Sequence, residues 1–413
     1  VSEPVGWSLR RMRGRDPHER HRAATPLELL FDLTFVVAFG VAANQFAHLL
    51  AEGHLASGLA GFGFATFAVS WAWINFSWFA SAYDTDDWVY RLTTMLQMVG
   101  VIILALGLPE MFASIDHGGH LDNRVVVAGY VIMRIALVGQ WLRAARQDPA
   151  RRTACLTYAT AVAVAQLGWI ASIFVDTSVP LSLTIAVLLV AVEMSGPYLA
   201  EIRMGGTPWH AHHIAERYGL LVIIALGEGV VGTVASLTAA VEVQGWTTDT
   251  VLVAVAGTAL TFGLWWVYFV VPFGALLHGR RRNSFTFGYL HIPLFGAIVA
   301  AGAGLHAAGY YIEHHSVIGS LGTVVSVAIP VAIFLLLVAV LHVLLTRGDA
   351  GRAAAVTGAA LLVLVGAVAA AAVGLPMTWS LLVVAAAPVV GVLGFELIIR
   401  RFARVGAGVP ELG

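Results

Sequence analysis

The sequence predicts an all-α fold, a polytopic membrane bundle of about twelve transmembrane helices. Three observations carry this. The chain is 59% hydrophobic and only 11% charged, with a mean hydropathy of +0.84, whereas a soluble domain carries roughly a quarter charged residues. Its 413 residues divide into apolar runs of the length a bilayer core demands, about 20 residues each. The arginines fall almost wholly on alternate connections between those runs.

Taken in order, Arg10, Arg11, Arg13, Arg15, Arg20 and Arg22 precede the first apolar run, in a polar stretch with no signal-peptide core. Thr25-Pro26-Leu27-Glu28 reads as a capping box with proline at the first helical position. Span 1 follows at 26–50 and span 2 at 57–80, joined through the polar turn Asp84-Thr85-Asp86-Asp87 to span 3 at 90–112. Spans 4 (124–144) and 5 (153–174) flank an Arg-rich loop, and span 6 runs 180–202. The loop GGTPWHAHH leads into span 7 at 213–238. Spans 8 (249–276) and 9 (284–307) are separated by Arg280, Arg281 and Arg282. Spans 10 (317–345), 11 (353–373) and 12 (378–400) complete the set. With the first segment placed inside, 21 of the 23 basic residues, all of them Arg, lie on the inner side. That asymmetry predicts a multi-pass protein of a bacterial cytoplasmic membrane with both termini cytoplasmic.

A faint internal repeat overlies this order. Leu27-Glu28 resembles Ala215-Glu216, the run from Trp71 to Phe76 resembles that from Leu264 to Phe269, and Leu96–Gly100 aligns with Leu290–Leu294. Matching segments lie six spans apart, as in transporters built from two parallel six-helix halves. The expected division is a cytoplasmic tail (1–24), a first half (25–205), a second half (206–404) and a short C-terminal tail (405–413).

The composition also excludes function classes. A formal net charge of −1 gives no nucleic-acid signature, and the lone Cys155 excludes an internal disulfide or a thiolate metal cluster. No phosphate-binding loop, dinucleotide fingerprint, nucleophile elbow or HExxH motif occurs. No metal site or cofactor is specified, and any catalysis would be intramembrane.

At TPLELLFDLTFVVAF in span 1, WAWINFSWFASAYDTDDWVYRL across spans 2 and 3, and HIAERYGLLVIIALGEGVVG in span 7, the chain resembles the bacterial low temperature requirement protein A (LtrA) family. Trp265-Trp266 and Tyr289-Leu290-His291-Ile292-Pro293 fit the same resemblance. It covers most of spans 1–3 and 7–9. It implies a multi-pass membrane protein, named for a cold-growth phenotype, with no settled biochemical activity.

Ionisable residues inside apolar runs are the candidate site, because charge in hydrocarbon is expensive. Glu28 reads as a capping carboxylate. Asp32, one turn deeper, reads either as half of a structural ion pair or as an ion or substrate ligand. Arg134, ten residues into span 4, must keep a partner, with Glu193, Asp32 and Glu228 as candidates; it is otherwise an anion clamp. Glu216 and Arg217, at the start of span 7, read as capping or structural. Glu228, among Gly227, Gly229 and Gly232, is the first choice for a proton- or cation-handling residue. His291 beside Pro293 is either a packing histidine or a substrate contact. Asn75 with Trp71, Trp73 and Trp78, and Trp265 with Trp266 and Tyr268, offer an aromatic-walled cavity. His210, His212 and His213 read as an interfacial cluster, and His314 and His315 have no clear partner.

The leading expectation is a secondary transporter of a small polar or anionic solute, coupled to a proton or cation. The alternative is an intramembrane enzyme or a lipid- or cofactor-binding membrane protein, and the third is a structural or sensory protein of cold adaptation. Membrane lipid, a small solute and a proton are the expected partners; nucleic acid is not, and the sequence leaves the oligomeric state open.

Overall fold

A computed structural model describes residues 9–17, 19, 22–175, 177–346 and 350–406, the side chains of 397–406 aside. Arg20, Arg347 and most of the expected C-terminal tail lie outside the described residues.

The helices are α1 (Pro26–Ala51), α2 (Leu55–Tyr83), α3 (Trp88–His117), α4 (Arg124–Gln147), α5 (Arg152–Ile173), α6 (Val179–Arg203), α7 (Ala211–Gln244), α8 (Thr248–Phe269), the short α9 (Phe273–Gly279), α10 (Ser284–Ile312), α11 (Gly319–Thr346), α12 (Ala350–Ala372) and α13 (Met377–Gly406). Among the described residues, twelve segments are long and apolar enough to cross a membrane. This is the expected all-α polytopic bundle. One expected span differs in form. The run at 249–276 is not a single helix: α8 stops at Phe269 and α9 begins after Pro272. Proline has no amide to donate and disfavours helical geometry in the residue before it, so the ladder cannot continue through Val271.

Local chemistry sets several helix starts. Thr25 Oγ1 accepts from the Glu28 amide at 3.3 Å, and Glu28 Oε2 accepts from the Thr25 amide at 2.7 Å, closing the expected capping box. Asp87 caps α3 by accepting from the Tyr90 amide at 2.9 Å. Thr247 and Thr250 form a second box at the start of α8.

The chain forms two compact units. Of the described residues, those within 1–42 and 59–218 form the first and those within 43–58 and 219–413 the second. In the first unit α3 packs on α4, α4 on α5 and α5 on α6. The α3–α4 crossing is made at glycine: a Cβ on Gly100 would lie 2.6 Å from the Gly129 carbonyl oxygen, so the two backbones touch. In the second unit α10 packs on α11, α8 on α13, and α12 on both α11 and α13.

The first unit also holds the N-terminal segment across the ends of its helices. The Arg15 amide donates to the Ala82 carbonyl at 3.0 Å, the Gly14 amide to Asp148 at 3.2 Å and the Met12 amide to Gln147 Oε1 at 2.6 Å. Arg22 donates to the Ala80 and Ser81 carbonyls, both at 2.6 Å. Those carbonyls belong to the last turn of α2; the Ala80 carbonyl also accepts from the Asp84 amide at 3.2 Å, and the cation adds its donors to that helix end.

Candidate functional site

The most concentrated chemistry lies in the first unit, where α1, α2 and the start of α7 meet. Glu28 and Asp32 are four residues apart on α1, and His213 and Arg217 are four apart on α7. On a helix that spacing stacks two side chains on one face. Arg217 Nη1 donates to Glu28 Oε1 at 2.8 Å, Nη2 to Asp32 Oδ1 at 2.5 Å and Nε to Asp32 Oδ2 at 3.2 Å. The two-pronged grip on Asp32 uses the planar guanidinium fork that lysine lacks. Trp73 of α2 donates its indole N–H to Asp32 Oδ1 at 2.6 Å. His213 Nε2 lies 3.2 Å from Glu28 Oε1. All five side chains are fully buried. The guanidinium carbon also sits 5.5 Å from the Trp73 ring centre and 5.9 Å from that of Phe76, a cation over aromatic faces.

The charge count of this cluster is uneven. One guanidinium serves two carboxylates, leaving one negative charge when both are ionised. A carboxylate oxygen only accepts, so His213 Nε2 carries the hydrogen it shares with Glu28. His213 Nδ1 is then a bare acceptor, buried and without a hydrogen-bond partner among the described residues. A proton taken up there would make the cluster neutral.

Around its mouth are groups outside the spans. Asp84, half-buried between α2 and α3, has its pKa pushed up to about 6, first by burial and then by the Glu28 charge, against the pull of Arg22 and Arg15. Burial opposes ionisation of Asp87 too, but hydrogen bonds from Arg143 outweigh it and hold Asp87 below the ordinary carboxylate range. His210 is lowered by burial; its Nε2 lies 2.8 Å from the Glu19 carbonyl and its Nδ1 accepts from the His213 amide at 3.2 Å. His212 is exposed. The His210 and His212 rings lie 6.0 Å apart, whereas the His213 ring meets Glu28. Asp86 pairs with Arg91 at 2.8 Å.

A second cluster lies deeper in the same unit. Arg134 of α4 donates to Tyr130 Oη at 2.5 Å and to Glu193 Oε2 of α6 at 3.4 Å. Glu193 further accepts from Tyr130 at 2.5 Å, and from Gln166 Nε2 at 3.1 Å and Trp169 Nε1 at 2.9 Å on α5. Of the candidate partners named for Arg134, the structure supplies Glu193; Asp32 is held by Arg217 instead. Asn75 is buried and donates to the Trp71 carbonyl four residues back at 2.7 Å, so its amide is spent within α2.

The second unit holds the other candidates. Glu228 of α7 is 4% exposed and has no hydrogen bond or ion pair among the described residues. Its surroundings are close-packed backbone. A Cβ on Gly302 of α10 would come within 2.7 Å of the Glu228 carbonyl carbon, and one on Gly232 within 2.5 Å of the Gly302 oxygen. Gly227 faces open space and takes no part in this contact. His291 is fully buried, with Nδ1 2.7 Å from the Phe287 carbonyl and Nε2 2.9 Å from Tyr268 Oη. Because a carbonyl cannot donate, Nδ1 donates to it and Nε2 is left to accept from Tyr268. Phe273, Phe287 and Phe295 enclose the ring. This is the geometry of a packing histidine. Trp265 and Trp266 are 38% and 42% exposed, and Trp265 stacks on Phe262. The expected aromatic wall is therefore split: Tyr268 shares the buried face of Leu264, four residues back, and the two tryptophans between them turn outward.

Two further expectations change. Glu216 does not cap α7, which begins at Ala211 and leaves it beyond the first turn. It is exposed and accepts from the Ala24 amide at 3.4 Å. His315 lies 3.5 Å from Glu313, and both His314 and His315 are exposed. Sequence reasoning also passed over His213 and Trp73 as members of the charge cluster. The matching i, i+4 pairs, acidic at 28 and 32 and basic at 213 and 217, were the signal that could have found His213; Trp73 joins only through packing.

A family model described as "Bacterial low temperature requirement A protein (LtrA)" matches residues 23–390. A protein of Rhizobium meliloti (strain 1021), "Uncharacterized protein RA0937", is 26% identical over 309 residues, which is 69% of each chain. No solved structure matches this chain.

Proposed function

We propose that this chain, which belongs to the bacterial low temperature requirement A family, works as a proton-coupled secondary transporter of a small polar or anionic solute. It would act in the cytoplasmic membrane, with both termini on the cytoplasmic side. The observation that carries the reading is the cluster of Glu28, Asp32, His213 and Arg217, fully buried and one positive charge short. One guanidinium balances one carboxylate, so the second buried carboxylate is left over. Here the surplus carboxylate faces a histidine with a free acceptor nitrogen, which suits a site that gains and loses a proton. Arg217 is the group that would exchange Asp32 for an anionic solute, since both offer a carboxylate-like acceptor to one fork. Reaching it requires α1 and the first turns of α7 to part. Glu228, a second buried carboxylate without a charge partner, is proposed for the same proton chemistry.

The test is made on protein reconstituted in liposomes loaded with the pH dye pyranine. Acetate, phosphate, glutamate and glycine gradients are imposed in turn. The expected result is proton entry driven by at least one of these solutes and lost in Asp32→Asn, with the variant still eluting as a single folded species. Proton traces that match empty liposomes for every solute would overturn the reading.

A further inference from the structure

The buried hydroxyls of α2 share one face of that helix. At about 100° per residue, Thr66, Ser70, Trp73, Ser77, Ser81 and Asp84 fall within an arc of about 80°, while Asn75 lies opposite. All six belong to the first unit. From Thr66 to Asp84 the stripe runs roughly 27 Å at about 1.5 Å per residue, close to the thickness of a bilayer core. Each member stands three or four residues from the next, a step of about 4.5–6 Å along the axis. One water, with a hydrogen bond of about 2.8 Å on either side, spans such a step.

The hydroxyls of Thr66, Ser70 and Ser77 are buried and have no hydrogen-bond partner among the described residues. Other helices of this unit treat their hydroxyls differently. Thr94, Thr157, Thr184 and Ser195 each donate to the carbonyl three or four residues back, at 2.6–2.9 Å. A buried hydroxyl turned away from its own backbone is costly unless something outside the helix meets it. At one end of the stripe Ser81 Oγ accepts from the His210 amide at 3.0 Å, and Asp84 is half-buried. Beyond the other end the same face continues to Gly63, which is exposed and where a Cβ would meet nothing within 4 Å.

Trp73 interrupts the stripe chemically. A hydroxyl or a water accepts a proton on one lone pair and gives up another, whereas an indole N–H only donates. That N–H is held on Asp32 Oδ1 at 2.6 Å, so a carboxylate lies beside the interruption. We propose that this face of α2 is a proton track of hydroxyls bridged by water, in two halves that meet only at Asp32. Ser77, Ser81 and Asp84 serve one half, and Ser70 and Thr66 the other. A proton arriving through one half protonates the Asp32 carboxylate and departs through the other half, and each hydroxyl ends with the one hydrogen it began with. The track supplies the route for the proton-coupled transport proposed above and rests on that reading for its purpose.

The test uses the whole chain in nanodiscs, in a Cys155→Ser background that removes its only thiol. Single cysteines are placed on the stripe by Thr66→Cys, Ser70→Cys and Ser77→Cys. Ala68→Cys and Ala72→Cys place them on the opposite, equally buried face. Each protein is exposed to Ag+ in chloride-free buffer, an ion small enough to follow a file of water, then denatured and labelled with a fluorescent maleimide. Ag+ is expected to lower labelling about tenfold or more on the stripe and less than about twofold on the opposite face. In sealed membrane vesicles of the two orientations, brief Ag+ treatment is expected to block Ser70→Cys in one kind and Ser77→Cys in the other. Where either of these does not fold, Thr66→Cys or Ser81→Cys stands for the same half. Stripe cysteines that keep their labelling, equal loss on both faces, or both halves reached from one side would each overturn the proposal. No transported solute enters this experiment, so its failure is distinguishable from failure of the liposome test.

Discussion

Arg217 grips Asp32 with two prongs, Nη2 to Oδ1 at 2.5 Å and Nε to Oδ2 at 3.2 Å, across 185 residues of chain and with neither side chain exposed. Breaking a buried pair on one side strands the other charge, at a cost of about 3–5 kcal/mol. Arg217→Ala should therefore lower the melting temperature in detergent far more than Asp32→Asn does. Adding Glu28→Gln and Asp32→Asn to Arg217→Ala should recover much of the loss. A triple variant no more stable than Arg217→Ala would show that the guanidinium does not hold the two carboxylates.

Arg217→Lys keeps the charge but not the fork. It should fall between wild type and Arg217→Ala in melting temperature, because an ammonium cannot reach Glu28 and both Asp32 oxygens in one plane. Equal stability of Lys and Arg at this position would contradict the two-pronged geometry.

Asp84 makes stability depend on pH in a defined direction. Its carboxyl is raised from an ordinary value of 3.8 to about 6, by burial first and then by Glu28. Between those values the folded protein holds a proton that the unfolded chain has released. Stability should therefore fall as pH rises from about 4 to about 6 and level off above. Asp84→Asn should remove this fall, so the difference in melting temperature between wild type and variant, followed from pH 4 to 7, isolates it. A difference that does not vary with pH would rule out the raised carboxyl.

Glu193 collects donors from Arg134, Tyr130, Gln166 and Trp169. Tyr130→Phe deletes the hydroxyl that touches both Glu193 and Arg134 and should cost about 1–3 kcal/mol. Glu193→Ala leaves Arg134 buried without its carboxylate and should cost more, about 3–5 kcal/mol. Thermal melts of both variants check the order, and the reverse order would mean that the hydroxyl, not the ion pair, carries this cluster.

Close helix approach near Glu228 can be tested beside an internal control. A methyl at Gly302 would meet the Glu228 backbone at 2.7 Å, and backbone cannot swing aside as a side chain can. Gly302→Ala should cost about 1–3 kcal/mol through overpacking. Gly227→Ala, which meets open space, should be neutral or slightly stabilising, since alanine is the better helix former. Similar melting temperatures for the two variants would argue against the tight crossing of α7 and α10.

Most of the architecture was legible in the chain alone. Apolar runs of bilayer length and the Thr25–Glu28 box act over a few residues, and a bilayer forces each span to satisfy its own backbone. Twelve spans follow from that, as does the membership in a multi-pass family. The same reading identified Asp32, Arg134, Glu193 and Glu228 as charges needing an explanation, because the cost of burying them is a property of each residue. It did not assign their partners. Whether Asp32 meets Arg134 or Arg217 depends on which helix faces touch, and hydropathy along one helix carries no record of that. Arg217 looked like the end of a span because it stands seven residues into α7; the packing of α7 against α1 brings it inside. Tyr268 and Trp265 belong to one run, yet one is sealed against His291 and the other faces outward. The sequence determined how many spans there are and most of the charges they bury. Tertiary packing decided which of those charges neutralise one another, because pairing is set by contacts between residues far apart in the chain.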